Sequence, residues 1–361
     1  MTANIQRLQD FRSRYSYGDS ILAAASWVRD RFAALGLQVW MDPFTFNGYN
    51  LFNVVAEKPG TARPEEIYII GGHYDSIANP PTDAPGADDN ASGTSAVLEA
   101  ARVLAPLPFE ATIRFIAFGG EEQGLTGSKH YVEQHVIPQN EDLRGVINLD
   151  MIAFVHPQYP EWDANWYGDA PVSGALAQHV GQCIQDYTTC VLHLAVEATP
   201  RYGSDHYWFA QHGYPAVFDI DARMWGAPDW NPNYHSANDR LATLDLPYAT
   251  EMARGAVAAL AELAVPAAAT AVLDPVAAPA GWSIAVGPNP FRAGVAFDVG
   301  AEMAAVRVMD VAGRVVSELS GSGRLVWRGR DAGGRALPAG VYFYTVAGGG
   351  RAVSGRLVRA R

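Results

Sequence analysis

Glu66-Ile67-Tyr68-Ile69-Ile70-Gly71-Gly72-His73-Tyr74-Asp75-Ser76 is the stretch that decides the fold of this chain. Its apolar run, residues 67–70, is too short for a helix and reads as a buried strand. A glycine pair ends the run, and a histidine and an aspartate follow at once. Upstream, residues 21–35 have helical spacing with Gly36 as a stop, and residues 38–46 read as a strand. Downstream, residues 92–105 read as a helix opened by small residues and closed near Pro106. Residues 112–118 and 145–152 follow as buried strands, then a helix over 174–186, strands over 191–196 and 216–220, and a helix over 246–264. Strands alternating with helices predict an α/β fold: three layers, α/β/α, around a mostly parallel mixed sheet. Ligands of such sheets bind beyond the carboxyl ends of the strands. His73–Asp75, Glu121–Glu122 and Asp150 each fall at such an end.

At 361 residues the chain is long enough for two domains. It is 49% apolar and 18% charged, a globular composition. The Ala-rich run over 252–273 is broken by Arg254, Glu262 and Pro266, so no membrane span is expected. No charged-then-apolar leader is read at Met1. The net charge of −12 is uneven: residues 282–361 carry 11 Arg against 5 acidic residues, leaving residues 1–281 strongly acidic. Nucleic acid is therefore not expected as a partner of the larger part. Two cysteines, Cys183 and Cys190, make neither a disulfide framework nor a Cys-rich zinc site; they read as buried thiols, with a local bridge in an oxidising compartment as the alternative. The expected division is a domain over 1–264, an Ala/Pro-rich linker over 265–281, and a small all-β sandwich over 282–361. Turn signals in the last part separate short alternating runs at 295–299, 305–310 and 341–346.

Each polar cluster alone has an ordinary reading as a loop histidine, a solvated face or a helix cap. Together, Asp75, Asp88, Asp89, Glu121, Glu122 and Asp150 on one edge would leave a large uncompensated negative charge. No Lys or Arg in the adjoining motifs is placed to neutralise it, whereas divalent cations would. With His73 and His235 added, the donor set suits zinc. Other clusters are set aside. Ser204, Asp205 and His206 are consecutive, and chain neighbours seldom aim at one another as a triad does. His130 and His135 are five apart, which does not fit His-Glu-x-x-His.

Five motifs stand in order: Gly72-His73-Tyr74-Asp75-Ser76, Gly86-Ala87-Asp88-Asp89-Asn90-Ala91-Ser92-Gly93, Phe118-Gly119-Gly120-Glu121-Glu122, Asn148-Leu149-Asp150-Met151 and Tyr234-His235-Ser236. Over about residues 1–264 this resembles the co-catalytic zinc aminopeptidases, a superfamily that includes glutamate carboxypeptidase and glutaminyl cyclase. The resemblance implies two Zn2+, with Asp88 bridging them, His73 and Asp150 completing one site, and Glu122 and His235 the other. It implies Glu121 as general base for a metal-activated water, with Asp75 and Asp89 in support, and a cis peptide at Asp88–Asp89. Tyr234 is a candidate donor to the oxyanion, and Arg201 a weaker one. Peptides are the implied substrates. An acid-rich pocket favours a free α-amine, since only Arg201, Arg223 and Arg240 stand where they could meet a carboxylate. Trp225, Trp230, Tyr214 and the aromatic loop over 159–167 are candidates to line an apolar side-chain pocket. A carboxypeptidase, a glutaminyl cyclase and a non-catalytic peptide-binding relative stay open as alternatives.

In the last part, Pro288-Asn289-Pro290-Phe291, the Asp310-x-x-Gly313-Arg314 turn, Trp327-Arg328-Gly329-Arg330-Asp331 and Leu337-Pro338-Ala339-Gly340-Val341-Tyr342 occur in series. They resemble the C-terminal sorting domains of type IX secretion cargo, which are similar to the immunoglobulin-like fold of flagellar hook-capping proteins. That resemblance implies export, a trimmed leader, and recognition of the domain by secretion machinery, giving a secreted or cell-surface protein.

Overall fold

The computed structural model describes residues 1–156, 163–167, 171–189, 198–199, 203–221, 230–267 and 284–359, apart from 288, 290, 302, 311–312, 339 and 349–350. The chain divides into two compact units, Met1–Ala264 and Val265–Arg361. The strand expected over 191–196, Cys190, Arg201, Arg223, Trp225 and all but the first three residues of the expected linker lie outside the described residues.

The first unit opens with helices α1 (Thr2–Gln9) and α2 (Ile21–Ala33). Strands β1 (Gln38–Phe46) and β2 (Tyr49–Lys58) then form a hairpin closed by Asn47-Gly48, both at positive φ, the dipeptide that such two-residue turns favour. β3 (Arg63–His73), α3 (Gly93–Leu104), β4 (Ala111–Phe118), α4 (Thr126–Tyr131) and β5 (Asp142–Leu149) follow. Next come β6 (Asp163–Tyr167), α5 (Pro171–Tyr187), β7 (Ala198–Thr199), α6 (His206–Gln211), β8 (Ala216–Ile220) and α7 (Leu246–Leu263). The eight strands make one sheet in the order β1-β2-β4-β3-β5-β8-β6-β7. β4, β3, β5 and β8 run parallel to one another, while β2 meets β4, and β6 meets β8, antiparallel. The fold is mixed α/β, with helices on both faces.

Alternation along the central strands explains the layering. Ile67 and Ile69 face a core that includes Tyr131, Val132, Val136 and Phe209, from α4, the turn after it, and α6. On the opposite face lie α3 and α7; α7 starts where Asp245 accepts a hydrogen bond from the Tyr248 N–H (3.0 Å), with Pro247 in its first turn. The four parallel strands end together, so His73, the Gly119–Gly120 turn, Asp150 and Asp221 emerge on one edge.

The second unit has sheets β13-β10-β9 and β12-β11-β14-β15, namely β9 (Ala285–Gly287), β10 (Val295–Asp298), β11 (Ala304–Met309), β12 (Val315–Gly321), β13 (Arg324–Trp327), β14 (Gly340–Gly348) and β15 (Arg351–Arg359). The ladders between these strands are antiparallel, and Phe291 makes an isolated parallel bridge to Arg359. Phe291, Phe297, Trp327, Tyr342 and Leu357 share its core. Two turns repeat one device: Asp310 and Asp331 each accept from the N–H four residues on, at Arg314 and Arg335, past a glycine at positive φ.

Candidate metal centre

The first imidazole arrives with β3. His73 is fully buried, and its Nδ1 lies 3.2 Å from the Asp75 carbonyl oxygen and 3.4 Å from the Asp75 carboxylate. That fixes the ring so that Nε2 points into the cleft. The same Asp75 carboxylate accepts the N–H groups of Glu121 (3.2 Å) and Glu122 (3.3 Å) and the Ser16 hydroxyl (2.8 Å). One buried carboxylate thereby orients a histidine and the two following acids. Gly120 makes the turn into those acids possible: its φ is +71°, and a Cβ there would sit 2.3 Å from Thr126 Oγ1.

The centre of the cleft is Asp89. One carboxylate oxygen lies 3.2 Å from His73 Nε2, the other 3.1 Å from His235 Nε2. His73 Nε2 has a second carboxylate at 3.2 Å, from Asp150; His235 Nε2 has one at 3.0 Å, from Glu122. Glu121 stands 4.0 Å from His73 Nε2. The two imidazoles thus flank one carboxylate, and each has an acid of its own.

This corrects the reading that placed Asp88 between the histidines and Asp89 behind it. The Asp88 carboxylate turns away, accepting from the Ala153 N–H (2.9 Å) and the Asn231 amide (2.7 Å). The cis peptide is Asp89–Asn90, one residue later than expected. Asp239 decides the register, since its two carboxylate oxygens accept the N–H groups of Asp88 (2.9 Å) and Asp89 (3.0 Å) and hold the loop with the Asp89 side chain inward. His235 itself sits at φ 52°, a left-handed conformation that non-glycine residues rarely adopt.

Two supports were not foreseen. Ser204, set aside with its neighbours, donates to the second oxygen of Asp150 (2.7 Å) and accepts from Asn148 (2.8 Å). Arg14 is fully buried and donates to the carbonyls of Leu8, Tyr74, Pro85 and Gly86. It supplies a positive charge near Asp239, Asp75 and Asp89 from a segment outside every motif. Of the other candidates, Tyr234 stacks on the His235 ring (centroids 3.7 Å apart) and Trp230 packs edge-on to Tyr234 (5.1 Å). Tyr214 packs instead on the core with Phe209, and Arg240 pairs with Asp83 (3.1 Å). The side chains of the aromatic loop over 159–167 are outside the described residues.

The electrostatics of the cleft show an excess of acid. Burial pushes Glu122 up to about 8 and raises Glu121 well above the carboxylate range, with His73 opposing the latter. Burial works against charge on the histidines, yet Asp150 and Glu121 raise His73, and Asp89 and Glu122 bring His235 to about 10. Without cations the site holds protons that it would otherwise shed. Neither carboxylate beside His235 Nε2 lies in line for a hydrogen bond, and buried Glu122 Oε1 also has no hydrogen-bond partner. Nitrogen and oxygen atoms that converge without aligned hydrogen bonds between them fit a metal ion.

A family model described as peptidase family M28 matches residues 53–260. A probable leucine aminopeptidase of Trichophyton verrucosum is 30% identical over 282 residues, covering 73% of this chain and 70% of its own. Among solved structures, the LapA aminopeptidase of Legionella pneumophila matches with a TM-score of 0.60 at 26% identity, covering 73% of this chain and 72% of that one. BSAP, a zinc aminopeptidase from Bacillus subtilis, matches with a TM-score of 0.51 at 29% identity, over 60% of this chain and 51% of its own. The matched residues contain the ends of the parallel strands, the Asp89 loop and His235, and the chain belongs to peptidase family M28.

Proposed function

We propose that this protein is a zinc aminopeptidase, with two zinc ions held about Asp89. His73, Asp89 and Asp150 would hold one ion, and Asp89, Glu122 and His235 the other. The observation that carries this reading is the placement of two imidazole nitrogens against opposite oxygens of the Asp89 carboxylate, at 3.2 and 3.1 Å. When bound, such ions supply Lewis acidity for a carbonyl oxygen and bring the pKa of water down toward about 7. Glu121 takes a proton from the attacking water and returns it to the leaving amine. Asp75 holds both the Glu121 N–H and the His73 ring, so the base and its neighbouring ligand move together. The Tyr234 phenol, raised by burial and then by the surrounding acids, stays protonated and donates to the oxyanion. Surplus carboxylate draws the substrate's free α-amine. Arg14 is committed to main-chain carbonyls and Arg240 to Asp83, so neither is set to receive a terminal carboxylate. Tyr234 and Trp230 favour an apolar first side chain.

Glu121→Gln tests the mechanism. The variant should keep the wild-type zinc content and lose about 1,000-fold in turnover of a leucyl anilide. Retained turnover would remove Glu121 from the mechanism, and faster cleavage of a glutamyl than a leucyl substrate by the wild type would overturn the apolar preference.

For the second unit, we propose a sorting module that directs export to the cell surface or medium. The motif series from Pro288 to Tyr342 and the surplus of arginine over 282–361 support this reading. Deletion of residues 265–361 should leave turnover of soluble peptides within about twofold and abolish delivery outside the cell. A truncated chain that still reaches the medium would refute it.

A further inference from the structure

Away from the cleft, Asp42, His130 and His135 bring three ligand-type side chains together. Their spacing hid this. An α-helix turns about 100° per residue, so residues five apart point about 140° away from each other. Residues 132–136 form a π-helical turn instead, in which the Ile137 N–H donates to the Val132 carbonyl (3.0 Å), five residues back. The wider turn carries His135 round to the face that His130 occupies, with ring centroids 5.9 Å apart. Such turns recur at functional sites.

Both Nε2 atoms converge on one oxygen of Asp42, at 3.2 Å from His130 and 2.8 Å from His135. Asp42 is 4% exposed, on the inward face of β1, and its other oxygen accepts the Asn53 amide (2.9 Å). Phe44, two residues along the same face, stacks on His130 (5.2 Å). The carboxylate and one ring are therefore fixed, while both imidazoles keep a solvent-facing side, with 23% and 31% of their side chains exposed. Zinc bonds of about 2.1 Å at tetrahedral angles separate ligand atoms by about 3.4 Å, near the 3.2 Å at His130 and reached at His135 by a small opening from 2.8 Å.

We propose that Asp42, His130 and His135 form a further divalent-metal site, suited to zinc, with its remaining position open to water. Two neutral imidazoles and one carboxylate leave the loaded site with a single positive charge, without the acid excess of the cleft. Gln139 Nε2 lies 3.4 Å from His135 Nδ1; turning that amide end for end would place its oxygen there, to accept the Nδ1–H and leave His135 Nε2 for the metal. Bound metal would also brace the catalytic turn. Asn53, which holds Asp42, donates to the Gly127 carbonyl (3.0 Å) and accepts from the Gly119 N–H (3.2 Å), two residues before Glu121. A third cluster, His179, Cys183 and Glu262, lacks this character, because burial and then Glu262 raise the Cys183 thiol and keep it protonated.

The test counts metal. Full-length protein is stripped with chelator, exposed to excess zinc, freed of loose metal and assayed for zinc per chain. The His130→Gln/His135→Gln double variant should hold one zinc fewer than wild type. Cobalt in place of zinc should lose the matching part of its visible absorption. Asp89→Asn, which dismantles the cleft, should retain one zinc that the added His130→Gln/His135→Gln changes remove. Equal zinc counts in wild type and the double variant overturn the proposal, as does an Asp89→Asn chain that binds none. Should the double variant fail to fold, the Asp89→Asn count decides. Because the wild-type comparison reads a difference, it stands whether the cleft holds one zinc or two.

Discussion

Two groups of imidazole and carboxylate occupy the same domain, and their surroundings separate them. In the cleft, His73 and His235 share Asp89, and each has a further acid, with Glu121 close by. On the flank, His130 and His135 share Asp42 alone. The flank group balances its charge with few partners and stays partly exposed. The cleft group cannot. It is enclosed, Asp239 and Asp221 are buried beside it, and among the described residues Arg14 is a neutralising cation on its loop side. Metal affinity needs donors that converge, and both places have them. Hydrolysis also needs acids left over after the metal is held, and only the cleft has a Glu121.

The comparison breaks most directly at the two adjacent aspartates. Asp89→Asn removes the shared carboxylate and should cut zinc affinity in the cleft by more than about 100-fold, with turnover falling to background. Asp88→Asn touches only the support that Asn231 and the Ala153 N–H provide, and should cost about 10-fold in affinity. Isothermal titration with zinc distinguishes them. If the two variants lose equally, or Asp88→Asn loses more, the bridge assignment fails.

The adjacency of those residues also shows where sequence reading ended. β3, β5, β8 and α7 were legible because their apolar runs and caps are local. The edge where His73, Glu121–Glu122 and Asp150 meet followed from strand direction alone. Which of Asp88 and Asp89 turns inward was not legible, because Asp239 settles it from about 150 residues away. Arg14 was missed for the same reason: its carbonyl partners at Tyr74, Pro85 and Gly86 lie 60 or more residues on. β2 had a local signal in Asn47-Gly48 that went unread. The segment through α4 had none at a period of 3.6, since the π-helical turn breaks the period, and the pairing of His130 with His135 was lost with it.

A smaller effect sharpens the contrast through pH. Burial raises Glu122 to about 8 and Asp205 and Asp239 to about 7 each in the metal-free chain. A carboxyl group raised on folding binds its proton more tightly in the folded state. Its stabilisation is therefore complete below about pH 4 and lost as pH climbs through the raised value. Asp89 runs the other way: burial works to raise it, but His235 and His73 overcome that and depress it. Its contribution is lost only in acid, and above about pH 5 it is ionised folded or unfolded and adds no slope. His235, raised to about 10, adds to the downward trend above about pH 6.5. The Tm of chelator-treated protein should thus fall by about 5 °C or more between about pH 5 and pH 8. Zinc should flatten the curve, because a cation takes the place of the protons. Asp239→Asn removes one of the raised groups and should shallow the metal-free slope. A metal-free Tm that holds steady or climbs over that range would mean that the acids of the cleft are neutralised by something other than protons, and the electrostatic case for metal would lose its footing.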